Sequence, residues 1–170
     1  HLQFLGVSCQ LVRFHPDARH QVNPERTAGR DIGTLFSDGY PLLLLSQESL
    51  NELNARLTAQ GRQALPMDRF RPNLVITGAE AHDEDHAASL QMGNAQIRPV
   101  KPCPRCPVPS VDQQTGEVGP DPLDILRTYR AGVGGISGIA FGMNFIVTPG
   151  VGEVLRTGQH AAMELAFDIR

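Results

Sequence analysis

Residues 101–112 read KPCPRCPVPSVD. Prolines at 102, 104, 107 and 109 fix their own φ and push each preceding residue toward extended backbone, so no helix runs through this segment. It is a stiff, extended loop that presents two thiols, Cys103 and Cys106, on either side of Pro104 and Arg105. A thiol beside a cation ionises more readily, and the thiolate is the form that ligates a metal or attacks. The same punctuation pervades the chain. Its 170 residues include 17 Gly and 13 Pro, which favours short strands joined by turns over long helices.

Working outward, residues 2–14 (LQFLGVSCQLVRF) alternate partially and predict a strand. Residues 15–38 form a polar, turn-rich loop, a length that marks functional or mobile segments. The apolar run 40–45 predicts a buried strand, and Ser46 an N-cap. Leu50, Leu53 and Leu57 then recur on one helix face and Gly61 stops it, giving a helix over 47–60. Residues 70–78 (FRPNLVITG) predict a strand and 80–86 a solvated acidic loop. A hairpin is expected around 92–94, with 97–100 leading into the cysteine loop and 112–116 forming a turn. Asp121 and Pro122 open a second helix that ends near Arg130. A flexible glycine-rich stretch occupies 132–138. Strand is expected at 141–148, a turn at 149–152, and one or two strands over 154–167.

The sum is roughly seven to nine short strands with two helices, a mainly β (α+β) fold. A closed or nearly closed β-barrel with two or more peripheral helices fits best. One domain spanning 1–170 is expected from the length. A formal charge of −3 argues against a nucleic-acid partner. No apolar run reaches the length of a membrane span, and no secretory signal is visible. Three cysteines do not make a disulfide framework, so a reducing, cytoplasmic setting is expected. The chain starts at His1 without Met, which suggests an excised or processed N-terminus.

Three chemistries compete for the cysteine pair. Structural zinc needs two further ligands, and no second pair exists; His82 and His86 have i, i+4 spacing around an acidic stretch without a core-helix face. Dithiol redox chemistry favours a helix after the first thiol, which Pro107 opposes. The third is a single thiolate ligand to a cofactor whose other ligands are not protein. Arg105, Arg69, Arg71 and the entrance 38–41 (DGYP) offer cations and backbone amides for an anion. The default readings are plainer. Arg69 and Arg71 are solvated strand-edge charges, Cys9 is a buried small hydrophobe, and His15, His20 and His160 are surface residues.

Three segments, SDGYPLLLLSQESLNELNARL, RFRPNLVITG and CPRCPVPSVDQQTGE, together resemble the MOSC domain family. Within it they are most similar to the branch of the mitochondrial amidoxime-reducing component and its bacterial, hydroxylaminopurine-reducing relatives. The resemblance spans about residues 1–165. It implies a β-barrel that binds the molybdenum cofactor and reduces N-hydroxylated compounds. It places Cys106 as the molybdenum ligand, Arg71 on the pterin phosphate with Asn73 close by, and Pro104, Arg105, Gly39 and Tyr40 against the cofactor. Asp38 matches an acidic residue near the metal and is a candidate proton relay. The branch's β-rich N-terminal domain and C-terminal ferredoxin-like domain have no counterpart here, so an electron-donating flavin or iron–sulfur reductase on another chain is implied. A carrier of cofactor or sulfur without turnover is the alternative.

Overall fold

The computed structural model describes residues 6–15, 17–18, 20–35, 37 and 39–166. Its frame is one six-stranded sheet curled into a half-barrel, with two helices packed on its outer face. In chain order the elements are β1 (Leu42–Ser46), α1 (Gln47–Ala59), β2 (Leu74–Ile76), β3 (Ala87–Met92), β4 (Ala95–Pro104), α2 (Leu123–Arg130), β5 (Ala140–Val147) and β6 (Ala162–Leu165). Spatial order is β2-β1-β5-β4-β3-β6. Only β1 and β2 run parallel, pairing Leu44 with Leu74; the other neighbours are antiparallel.

Local chemistry explains α1. Ser46 ends β1 in extended geometry and its Oγ accepts the Ser49 amide, so strand passes into helix without a linker. Leu50, Leu53 and Leu57 fall on one side and are buried. They meet Leu45, Phe70, Leu123, Leu126, Ile139 and Phe141 in the helix-side core. On the concave face Leu44, Leu90, Met92, Ile97, Met143 and Phe145 form a second core. Leu44 and Leu45 thus serve opposite faces, as the strand period of two requires.

β5 departs from that period. Pro102 pairs with Met143 but Pro104 pairs with Ala140, so β5 spends one residue more than β4 over this interval. Gly142, with φ of 81°, sits in that bulge. Phe141 consequently joins the helix-side core while Met143 stays on the concave face.

Several expectations need correction. Residues 2–5 of the expected N-terminal strand lie outside the described residues; residues 6–14 carry no strand, with Val7, Leu11 and Val12 exposed to solvent, and Cys9 is exposed rather than buried. Residues 67–70 form a short 3-10 turn and strand begins only at Leu74, since Arg71 adopts left-handed backbone (φ 54°, ψ 44°). The acidic segment is not solvated: it makes a 3-10 turn over Asp83–Asp85, and Glu84 is fully buried. Its Oε1 accepts from the Ser46 amide at 3.2 Å and Ser49 Oγ at 2.8 Å, at the positive end of α1. Arg69 is mostly buried and ion-paired rather than solvated. Six strands stand where more were expected among the described residues.

Candidate functional site

The site is built where β4 runs out. Its ladder ends at Pro104 paired with Ala140, and the Arg105 amide continues it by donating to the Ile139 carbonyl at 2.9 Å. The proline-rich segment then turns through a 3-10 turn, Val108–Ser110. Cys103 is half-buried; Cys106, just past the ladder, is exposed. The glycine-rich stretch braces this strand from one side. A Cβ on Gly134 would lie 2.5 Å from Pro102 Cγ, so only glycine allows that approach.

On the other side, two arginines tie the cysteine loop to the turn 67–71, in opposite directions. Arg105 reaches out of the loop: its Nη2 donates to the Phe70 carbonyl at 2.9 Å and its Nη1 to Cys103 Sγ at 3.4 Å. Its guanidinium lies 5.4 Å from the Phe70 ring centroid. Arg69 reaches back: its Nη2 donates to Asp112 Oδ2 at 2.6 Å and its Nη1 to the Pro109 carbonyl at 3.3 Å. Asp112 is itself fixed as a turn residue, with Oδ1 accepting from the Gln114 and Thr115 amides. Those two amides, then the Arg69 guanidinium, hold its carboxyl below the usual aspartate range.

Arg71 is different. It is exposed, and among the described residues its side chain makes no hydrogen bond or ion pair. Its backbone is held from both sides. Its amide donates to the Asp68 carbonyl at 3.0 Å, and two residues on, Asn73 is bonded to Leu43 of β1. Arg71 therefore stands between the cysteine loop, bonded through Phe70, and the start of β1. Gly39, exposed, and Tyr40, half-buried, precede the N-terminal end of β1, next to Leu43, which Asn73 bonds. No hydrogen bond or ion pair joins them to the cysteine loop among the described residues. Asp38 lies outside the described residues.

Sequence reasoning named Cys106, Arg71, Arg105 and Asn73 but missed the ties that connect them. Arg69–Asp112 and Arg105–Phe70 span more than thirty residues, and nothing local announces them; only the turn at Asp112 was legible. The zinc reading finds no support, since no group of three His, Cys, Asp or Glu residues forms a metal-binding set among the described residues. Nor is any described helix long and apolar enough to cross a membrane.

A family model for the MOSC domain matches residues 31–161. The chain is 33% identical to human mitochondrial amidoxime reducing component 2 over 124 residues, which cover 71% of this chain and 36% of that protein. It is 35% identical to mouse mitochondrial amidoxime-reducing component 1 over 126 residues, covering 72% of this chain and 36% of the relative. Against the molybdenum cofactor sulfurase of Oryza sativa subsp. japonica the identity is 41% over 96 residues, 52% of this chain and 12% of that protein. The chain thus matches little more than a third of the amidoxime-reducing relatives' length.

Proposed function

This chain belongs to the MOSC domain family, and from that premise we propose that it is the cofactor-holding part of a molybdenum-dependent reductase of N-hydroxylated compounds. The observation that carries this is the junction at Phe70. An exposed thiol in one loop and an exposed guanidinium in the next turn, unpaired among the described residues, are bonded into one unit through that carbonyl. A soft thiolate beside a planar phosphate-binding fork is the donor set that a phosphorylated pterin bearing a thiolate-ligated metal requires.

In this reading Cys106 offers the thiolate and Arg71 makes charge-assisted contacts to the pterin phosphate. Pro104 and Arg105 shape the backbone leading to the ligand. Gly39 and Tyr40 form the wall before β1, with Asn73 holding that strand to the Arg71 turn. The molybdenum cofactor supplies, when bound, a two-electron couple able to take the oxygen from an N–OH group. Two electrons and two protons convert that group to N–H and water; Asp38 holds or delivers a proton at its carboxylate. The electrons come from a flavin or iron–sulfur reductase. The activity named for the amidoxime-reducing relatives supports the substrate class.

The test is Cys106→Ala in the full-length protein, produced in a host that makes the cofactor. Molybdenum measured by elemental analysis should be lost along with reduction of a hydroxylamine or amidoxime. Retained metal and unchanged turnover would defeat the proposal. The similarity to a molybdenum cofactor sulfurase favours a second reading, a carrier of cofactor or sulfur without turnover. A persulfide on Cys106 by intact-mass spectrometry, without metal, would select it.

A further inference from the structure

We propose that Arg105 is a positioning residue: with Arg69 it locks the cysteine loop to the turn that carries Arg71, and so sets where Arg71 stands relative to Cys106. The purpose of that lock rests on the molybdenum-cofactor reading above. The lock itself is made by this chain's own residues and needs no cofactor.

The donors of Arg105 are spent inward. Nη2 serves the Phe70 carbonyl, Nη1 serves Cys103, the backbone amide serves Ile139, and Nε is buried without a partner. A guanidinium committed to a neighbouring carbonyl and thiol is poorly placed to add a bidentate grip on phosphate. Arg69 is committed in the same way, to Pro109 and Asp112, with its side chain only 12% exposed. Of the three arginines in the two loops, Arg71 alone keeps its fork free for a ligand among the described residues.

Arg71 also sits in backbone that non-glycine residues rarely adopt. Such a conformation persists only when its surroundings over-determine it. Here the Phe70 carbonyl immediately before it is bonded by Arg105, and Asn73 just after it is bonded to Leu43. The unusual turn and the two-way arginine lock are one device: they hold an exposed cation at a fixed place beside the cysteine loop. Lysine at 105 would keep the charge but lose the rigid fork, which reaches a carbonyl and a sulfur at once.

The experiment is competitive alkylation of the apoprotein at low ionic strength, with anionic iodoacetate against neutral iodoacetamide. Peptide mass spectrometry separates Cys106 from Cys9 and Cys103. A cation held beside Cys106 favours the anionic reagent, so Arg71→Ala should lower the iodoacetate-to-iodoacetamide ratio at Cys106 by about threefold. Arg105→Lys should lower it comparably although no charge is removed, with the iodoacetamide rate changed less than about twofold. Arg69→Gln should act in the same direction and serves if Arg105→Lys does not fold. A wild-type ratio in Arg105→Lys or in Arg69→Gln would overturn the proposal, as would a wild-type ratio in Arg71→Ala. Because the readout uses no molybdenum, an intact lock with no metal retention would sink the reductase reading and leave this one standing.

Discussion

Asn73 docks twice on Leu43: its Oδ1 accepts the Leu43 amide at 2.7 Å, and its own amide donates to the Leu43 carbonyl at 2.8 Å. The side chain does for the edge of β1 what another residue of β2 would have done. It extends the parallel pairing one step beyond Leu74, where the Arg71 turn has already bent the chain away. Asn73→Ala should therefore destabilise the fold by about 1 kcal/mol, the net worth of one such bond. Urea unfolding measures it. Asn73→Asp, which keeps the acceptor, should recover most of the loss. No change in Asn73→Ala would mean that water replaces the side chain at no cost.

Gly142 is the pivot of the β5 bulge. A Cβ there would lie 2.9 Å from the Leu44 carbonyl oxygen and 3.2 Å from two leucine methyls, on backbone with φ of 81°. Both the clash and the left-handed strain oppose any side chain, so Gly142→Ala should cost at least ~2 kcal/mol. The loss should be accompanied by altered packing of Phe141 on Phe70, whose ring centroids are 4.7 Å apart. Thermal unfolding gives the first quantity and aromatic NMR shifts the second. A variant with wild-type melting would show that the bulge is not required.

What the sequence made legible follows from range. Ser46, the Leu50–Leu53–Leu57 face and Gly61 are local signals, and α1 lies where they place it. The prolines of the cysteine loop are equally local: the backbone is extended through Pro104, as the end of β4, but beyond Cys106 it turns through the short 3-10 segment Val108–Ser110 instead of staying extended. Phe141 could not be assigned to a face, because its side is decided by one extra residue in β5 relative to β4. Glu84 looked like one more acid in a polar run. Its burial depends on the N-terminus of α1, thirty-five residues earlier in sequence, closing over it. In the site, residue types were readable but the arginine ties were not. Arg69 finds its carboxylate forty-three residues away, and composition carries no record of that pairing. The N-terminal run shows the opposite failure: its described part, residues 6–14, has apolar letters but joins no sheet.

The Arg130–Asp85 pair ties α2 to the turn before β3 at 2.5 Å, with side chains 6% and 7% exposed. Arg130 Nε also donates to the Ala140 carbonyl. Burial pushes the Asp85 carboxyl above the usual aspartate range, against the pull of Arg130. Asp85→Ala would leave a guanidinium buried and uncompensated, and should cost about 3–5 kcal/mol. Removing both charges, as Asp85→Leu with Arg130→Met, should recover most of that loss. Denaturant midpoints of the wild type, both single variants and the double variant decide it. Strict additivity of the single losses would show that the two side chains do not act as a pair.

His82 should make the fold acid-sensitive. It lies between α1 and α2, 3.2 Å from Glu52 Oε2 and 5.8 Å from the Tyr129 ring, facing Glu84 and Arg130 as well. Burial, then Arg130, lowers its pKa below the ordinary imidazole value; Glu84 and Glu52 oppose the shift without reversing it. The unfolded chain therefore takes up a proton at a pH where the folded one does not. The unfolded state binds more protons across that window, so stability rises with pH there and is lost as pH falls. For His82 the loss begins near the usual histidine value of about 6.5 and continues below it as pH falls. Position 82 has φ of 71°, so asparagine is the replacement that best tolerates its backbone. His82→Asn should flatten the fall in unfolding free energy over that interval, measured by urea titration at stepped pH. An identical slope in the two proteins would place the acid sensitivity elsewhere.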